Sequence, residues 1–292
     1  MGLGLRSRRT RYIIYKIWAL LSLVRWYSIL LIALALYLSA FYLFNSNVPK
    51  LEVLMRPGLH GQIIALCLFI MSGFIINAFY DLEKDMINRP NKTYIEKHIS
   101  RSFSLNCYFA FNTIAGVISL LVSWKVFLIN VLFSVVLWAY SHKIQHKRFF
   151  GEMGAALLTV APFISLAVFY NNVTWKMLEF VALIFIVLIE REVLKKIIGV
   201  KGDFVLGNRS IPIEYGERKA SIAVILLSLT SIAQIFFFLR FVNSGMPAIS
   251  AYLMIFLQAA AILAVYWKKD YKNADRLMKA IIIWMVLSIP FI

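Results

Sequence analysis

The chain has 292 residues, 61% hydrophobic and 15% charged, with a mean hydropathy of +0.78 and a formal charge of +17. No water-soluble domain of this length buries that much apolar surface in one core, which excludes a soluble enzyme and makes lipid the solvent. The basic excess then points away from nucleic acid, because lysine and arginine collect in the loops on one face of a membrane protein.

Residues 1–21, which include GLRSRRTRYIIYK, read as a basic cytoplasmic lead-in lying along an anionic lipid surface. No small-residue cleavage site follows before the first long apolar run, so no cleaved signal peptide is expected. Residues 22–292 are expected to form one all-α transmembrane domain of nine helices, with no soluble domain on either side. The spans fall near 22–44, 60–80, 102–122, 124–141, 152–171, 175–195, 219–240, 246–267 and 276–292, with a very short turn at Ser123 between the third and fourth. With the N-terminus inside, 26 of the 31 basic residues lie in the lead and in loops 2/3, 4/5, 6/7 and 8/9. Only Lys50, Arg56, Lys125, Lys176 and Arg240 remain outside. A missed or invented helix would scramble this alternation, so the asymmetry predicts nine spans with a cytoplasmic N-terminus. Of the acidic residues, all but Glu52 and Glu179 share the basic face. Orientation does not require that, so acid and base gathered at helix ends predict a site there. Cys67 and Cys107 sit inside apolar runs without a disulfide or zinc spacing and are expected to pack.

The end of the second span reads NAFYDLEKDMINRP, residues 77–90. Residues i, i+4 and i+8 on a helix share a stripe that drifts about 40° per step, so Asn77, Asp81 and Asp85 point the same way. Two carboxylates so placed repel unless a cation sits between them. Oxygen-only ligands suit a hard ion such as Mg²⁺, which shares itself with substrate phosphates. Arg89 and Lys92 follow, able to hold phosphate oxygens directly. The same residues also read as a solvated helix end, with Glu83, Lys84 and Arg89 as surface charge. Against this, an amide as deep as Asn77 wants a partner.

Loop 4/5 carries His142 and His146 at i, i+4, a pair with no third metal ligand nearby that reads as part of a solvated basic loop. Loop 6/7 is IEREVLKKIIGVKGDFVLGNRSIPIEYG, residues 189–216. Arg191, Lys195, Gly199 and Asp203 form a second stripe if the sixth helix persists, with GNRSIP as a turn before the seventh span. The spans carry almost no mid-bilayer ionisable residues, unlike ion-coupled carriers, and one half does not repeat the other.

Over nearly its whole length the chain resembles the UbiA superfamily of intramembrane prenyltransferases. NxxxDxxxD followed by INRPN, then EREVLK, GD and NRSIP, resembles the branch that includes archaeal digeranylgeranylglyceryl phosphate synthases. Trp138 to Lys143 looks like the loop 4/5 signature, and Arg25 to Ser28 looks like a first-helix Arg-x-x-Asn with Ser28 in place of Asn. The resemblance implies a UbiA-like bundle in a bacterial or archaeal inner membrane with its site facing the cytoplasm. It implies transfer of a polyprenyl group, geranylgeranyl as the leading guess, from its diphosphate to a lipid or aromatic acceptor, with Mg²⁺ as cofactor. Asn77, Asp81 and Asp85 would hold one Mg²⁺, and Asp203 would serve a second. Arg89, Lys92, Lys143, Arg191 and Lys195 would contact the diphosphate, and Arg25 would belong to the substrate site. Tyr80, Tyr140, Trp138, Phe74 and Phe79 are candidates to wall the allylic cation or to pack in the membrane, and of these Tyr140 stands out by its place in the loop 4/5 signature. The partners implied are a prenyl diphosphate, a lipid-soluble acceptor and membrane lipid.

The second motif departs from the family pattern, which implies Asp where this chain has Lys196 and Gly199. Either the Lys196 ammonium stands in for a lost cation, or the chain is a non-catalytic member that binds isoprenoid lipid or scaffolds a membrane complex. Glu152 stands where Asn is implied, as a base or as a charge facing water. Thr93 and Lys97 also depart, in loop 2/3.

Overall fold

A computed structural model describes residues 14–88, 90, 99–147, 149–239 and 245–291. Among these, nine long helices follow one another: α1 Trp26–Ser39, α2 Pro57–Tyr80, α3 Arg101–Val122, α4 Trp124–His142, α5 Phe150–Tyr170, α6 Trp175–Ile198, α7 Glu217–Leu239, α8 Met246–Tyr266 and α9 Tyr271–Ser288. No strand occurs among the described residues. In hydrocarbon every backbone N–H and C=O must be satisfied within the chain, which a helix does locally. The 24 residues of α2 reach about 36 Å, enough for a hydrocarbon layer of about 30 Å.

Seven of the nine, all but α6 and α9, are long and apolar enough to cross a membrane. α6 ends in Glu190, Arg191, Glu192, Lys195 and Lys196, and α9 begins with Lys272, Asp275, Arg276 and Lys279. The first span is broken where the sequence suggested continuity. A short helix, Ile14–Leu23, precedes α1, and Arg25 between them adopts a left-handed conformation at φ 51°. α1 then continues through a π-helical turn, Ala40–Phe44. α3 and α4 meet at Ser123, whose side chain accepts from the Lys125 amide, as the short turn required.

The bundle is apolar on both sides of its wall. Leu36, Leu59, Leu66, Phe69, Leu166, Leu194 and Met278 are fully buried, while Leu121, Trp175 and Phe256 on the outside are largely exposed, as lipid contact demands. Helices of equal greasiness gain little by meeting in lipid, so interhelical polar contacts contribute, at about 0.6–2 kcal/mol each. Gln62 on α2 donates to Ser165 on α5 at 2.7 Å, and Asn130 on α4 donates to Gln62 at 3.1 Å and to Ser119 on α3 at 2.9 Å. A second buried network is built on an ionisable side chain of α6. Glu190 is 0% exposed and accepts from Ser228 on α7 at 2.6 Å and from Gln258 on α8 at 3.3 Å. It faces α7 and α8 rather than the membrane surface, which linear position does not reveal.

Candidate diphosphate and metal site

The stripe of the first motif survives a change of helix. α2 stops at Tyr80, Asp81 caps it, and a short helix, Leu82–Asn88, continues. The amides of Asp81 and Asp85 still bond the carbonyls four residues back, at 2.9 Å each, so the register is kept. Asn77 Nδ2 donates to Asp81 Oδ2 at 2.8 Å. The other Asp81 oxygen accepts from Gln145 Nε2 at 3.1 Å. Gln145, in the 3₁₀ turn Ile144–His146 of loop 4/5, is held by the Ser141 carbonyl at 2.8 Å. Neither Asp81 nor Asp85 has an ion pair among the described residues, and both are half-buried. Burial pushes the Asp81 carboxyl up; Lys84 opposes this and Asp85 adds to it. Lys196 and His146 also oppose it from a distance, but a carboxylate pair without an ion-pair partner among the described residues fits a cation, with Asn77, Asp81 and Asp85 as its protein oxygen donors.

The second motif, Arg191, Lys195, Gly199 and Asp203, also crosses a helix end. α6 ends at Ile198, Gly199 caps it, and a new short helix, Val200–Val205, starts. The amides of Gly199 and Asp203 still bond the carbonyls of Lys195 and Gly199, at 2.9 and 3.2 Å, so the backbone register runs through the break while the side chains take different partners. Asp203 is fully buried. Its Oδ1 accepts from Lys84 Nζ at 2.5 Å and from Asn208 Nδ2 at 3.2 Å, and its Oδ2 lies 3.8 Å from Lys196 Nζ. Lys84, read from sequence as surface charge, is thus the closest partner of the second motif's carboxylate. Burial raises the Asp203 carboxyl, but Lys196, Lys84 and Asn208 together hold it below the ordinary range. Asp203 does not fit a metal ion: one carboxylate, already bonded to ammonium, is too few ligands for a hard cation.

The two motifs are joined. Lys196 Nζ donates to the Gln145 carbonyl at 3.3 Å, and Gln145 holds Asp81. Asn88 donates to the Gly199 carbonyl at 3.3 Å and accepts from the Gly202 amide at 3.2 Å. A Cβ on Gly202 would lie 2.4 Å from Asn88 Nδ2, so only glycine permits this docking. Glu152 does not face water, as one sequence reading had it. It is 1% exposed, makes no side-chain hydrogen bond among the described residues, and feels the charges of Lys196 and Asp203.

The remaining candidates divide. Tyr140 donates to the Gly151 carbonyl at 2.9 Å and lies within the fields of Glu192, Asp81 and Glu152, between the two groups of charge. Lys195 pairs with Glu192 at 2.7 Å. Arg191 turns to Asp275 on α9 at 3.0 Å and is not brought to Asp81. Arg25 stands over the Phe74 ring at 5.0 Å. Lys143 is exposed at the end of α4. Trp138 is 43% exposed and stacks on His142 at 5.6 Å, which removes it from an inner wall. Arg89, Lys92, Thr93 and Lys97 lie outside the described residues. Among the described residues no three His, Cys, Asp or Glu side chains gather as a metal site, so a cation here depends on the Asn77 oxygen and on ligands from a substrate. Gln145, Asn88 and Asn208 were missed because uncharged amides in loops carry no periodic signal. An apolar cavity of about 370 Å³ bounded by Phe180, Leu183, Ile235 and Met254 opens at the other end of α6 and α7 and is no part of this site.

The profile of the UbiA prenyltransferase family matches residues 54–287. Digeranylgeranylglyceryl phosphate synthase of Korarchaeum cryptofilum is 30% identical over 179 residues, covering 59% of this chain and 63% of that protein. The Pyrococcus horikoshii enzyme of the same name is 32% identical over 177 residues, 60% of each chain. The match therefore spans less than two thirds of these relatives. A UbiA homologue from Archaeoglobus fulgidus, solved with GPP and Mg²⁺, superposes with a TM-score of 0.64 at 14% identity, covering 94% of this chain and all of that one.

Proposed function

The chain belongs to the UbiA prenyltransferase family, and from that premise we propose that it transfers a polyprenyl group from its diphosphate to a lipid-soluble acceptor. The single observation that carries this is the Asn77–Asp81–Gln145 contact, which holds a cation-seeking carboxylate at the polar end of an apolar bundle. A relative in fold is described with GPP and Mg²⁺, and the relatives in sequence are named as synthases of a digeranylgeranylglyceryl phosphate. Geranylgeranyl diphosphate is accordingly the donor, and a glyceryl phosphate lipid the acceptor, to be tried first.

Asn77, Asp81 and Asp85 would hold Mg²⁺, which would supply positive charge to neutralise the departing diphosphate. The chain does the rest. Asn77 and Gln145 orient Asp81, and Lys143, Arg89 and Lys92 supply further positive charge for phosphate oxygens. Half-buried Tyr140 offers an aromatic face where positive charge develops. The basic face lies toward the cytoplasm of a cell membrane.

The test is pyrophosphate release from geranylgeranyl diphosphate with Mg²⁺ and a panel of acceptors. Asp81→Asn should lower release by at least about 100-fold, the scale of losing one such electrostatic contact. Release unchanged in Asp81→Asn overturns the site. Tight donor binding without release under any condition supports the non-catalytic reading, which the lysine-filled second motif also favours.

A further inference from the structure

We propose that the chain binds a single divalent cation, at Asn77, Asp81 and Asp85, and that Lys84 and Lys196 fill the place beside Asp203 where a second cation would sit. The inference rests on the prenyl diphosphate reading above and deepens it. The contrast between two carboxylates at one end of the bundle carries it. Asp81 is bonded only by neutral amides, while Asp203 is bonded by an ammonium on one oxygen and faced by another ammonium across 3.8 Å. Lys84 lies between Asp81 and Asp85 in sequence, yet makes no ion pair with either and closes on Asp203 instead. Its side chain is 19% exposed and that of Lys196 14%, so neither charge is screened as a surface lysine would be. A divalent ion placed there would meet two ammoniums in a buried setting, where like-charge repulsion is strong.

The substitution for a metal is positional as well as electrostatic. Lys196 is tied through the Gln145 carbonyl to the residue that holds Asp81. The ammonium thereby stands one residue from the cation-binding carboxylate, where it presents fixed positive charge to a diphosphate. Lys84, Lys196 and Gln145 are positioning residues in this arrangement.

Counting bound metal tests the proposal without turnover. The full chain in detergent would be titrated with Mn²⁺ in the presence of geranyl S-thiolodiphosphate, a donor analogue that ionises slowly, with free Mn²⁺ read by electron paramagnetic resonance. One Mn²⁺ per chain is expected, rising to two in the K84M/K196D double variant. Two in the parent chain overturns the single-ion inference and leaves the prenyl-transfer reading standing. None in the parent, with the analogue bound, overturns the metal reading itself. One in a monodisperse double variant that keeps its thermal transition also overturns the inference, because the lysines are then not what excludes the second ion.

Discussion

Asp203 sits 0% exposed with Lys84 at 2.5 Å and Lys196 at 3.8 Å, and its stability linkage follows from those charges. Burial disfavours its ionised form, but Lys196 and Lys84 win, and its folded pKa is below its unfolded one. Its contribution is therefore fully present above about pH 4 and is lost as pH falls through the lowered folded value. Thermal unfolding in detergent between pH 6 and pH 3 should show a steeper acid loss in the parent than in Asp203→Asn, which has no such proton to take up. Equal slopes would remove the ion pair from the stability account. Truncating one partner of a buried pair leaves the other uncompensated, at about 3–5 kcal/mol. Lys84→Met should fall near the low end of about 3 kcal/mol, because Lys196 remains. In a double-mutant cycle with Asp203→Asn the two losses should fail to add, and additivity would show that the residues do not interact.

At the scale of elements, glycines and helix ends set the site's geometry. α6 stops at Ile198, a short helix follows from Val200 to Val205, and Asp203 on it meets Lys84 on the helix that follows α2. Gly151, at the start of α5, lies so close to the 3₁₀ turn that a Cβ would approach the Gln145 carbonyl to 2.6 Å. Gly151→Ala must displace backbone that carries Gln145, and Gln145 orients Asp81. Residues that orient metal ligands typically cost 10–100-fold in metal affinity when disturbed. The Mg²⁺ concentration for half-maximal pyrophosphate release should therefore rise about tenfold or more in Gly151→Ala. An unchanged Mg²⁺ dependence would show that Gln145 does not position the carboxylate.

For the whole molecule, the division of charge between its two ends predicts its orientation. Lys143 at the end of α4 shares the polar end with Asp81, whereas Lys125 opens the same helix at the other end. In inside-out membrane vesicles, Lys143→Cys should react with an impermeant maleimide and Lys125→Cys should not, with native Cys67 and Cys107 replaced. The reverse pattern would invert the bundle. The polar networks of Gln62, Asn130 and Ser165 on one side and Glu190, Ser228 and Gln258 on the other tie together helices distant in sequence.

The apolar runs, the one-residue turn at Ser123 and the register of Asn77, Asp81 and Asp85 were all legible along the chain, because each depends on neighbours within a few residues. Lipid enforces helices, and helical periodicity assigns a common face to residues four apart. Periodicity does not say what stands opposite that face. The break at Gly199, the inward course of Glu190 among α6, α7 and α8, the burial of Glu152 and the closing of Lys84 on Asp203 all depend on packing between segments far apart in sequence. By itself the sequence determined the helical membrane fold and the common face of Asn77, Asp81 and Asp85. Only the tertiary structure decided which carboxylate already has its positive charge, because an ion pair across 119 residues forms only where two short helices distant in sequence are pressed into one buried volume.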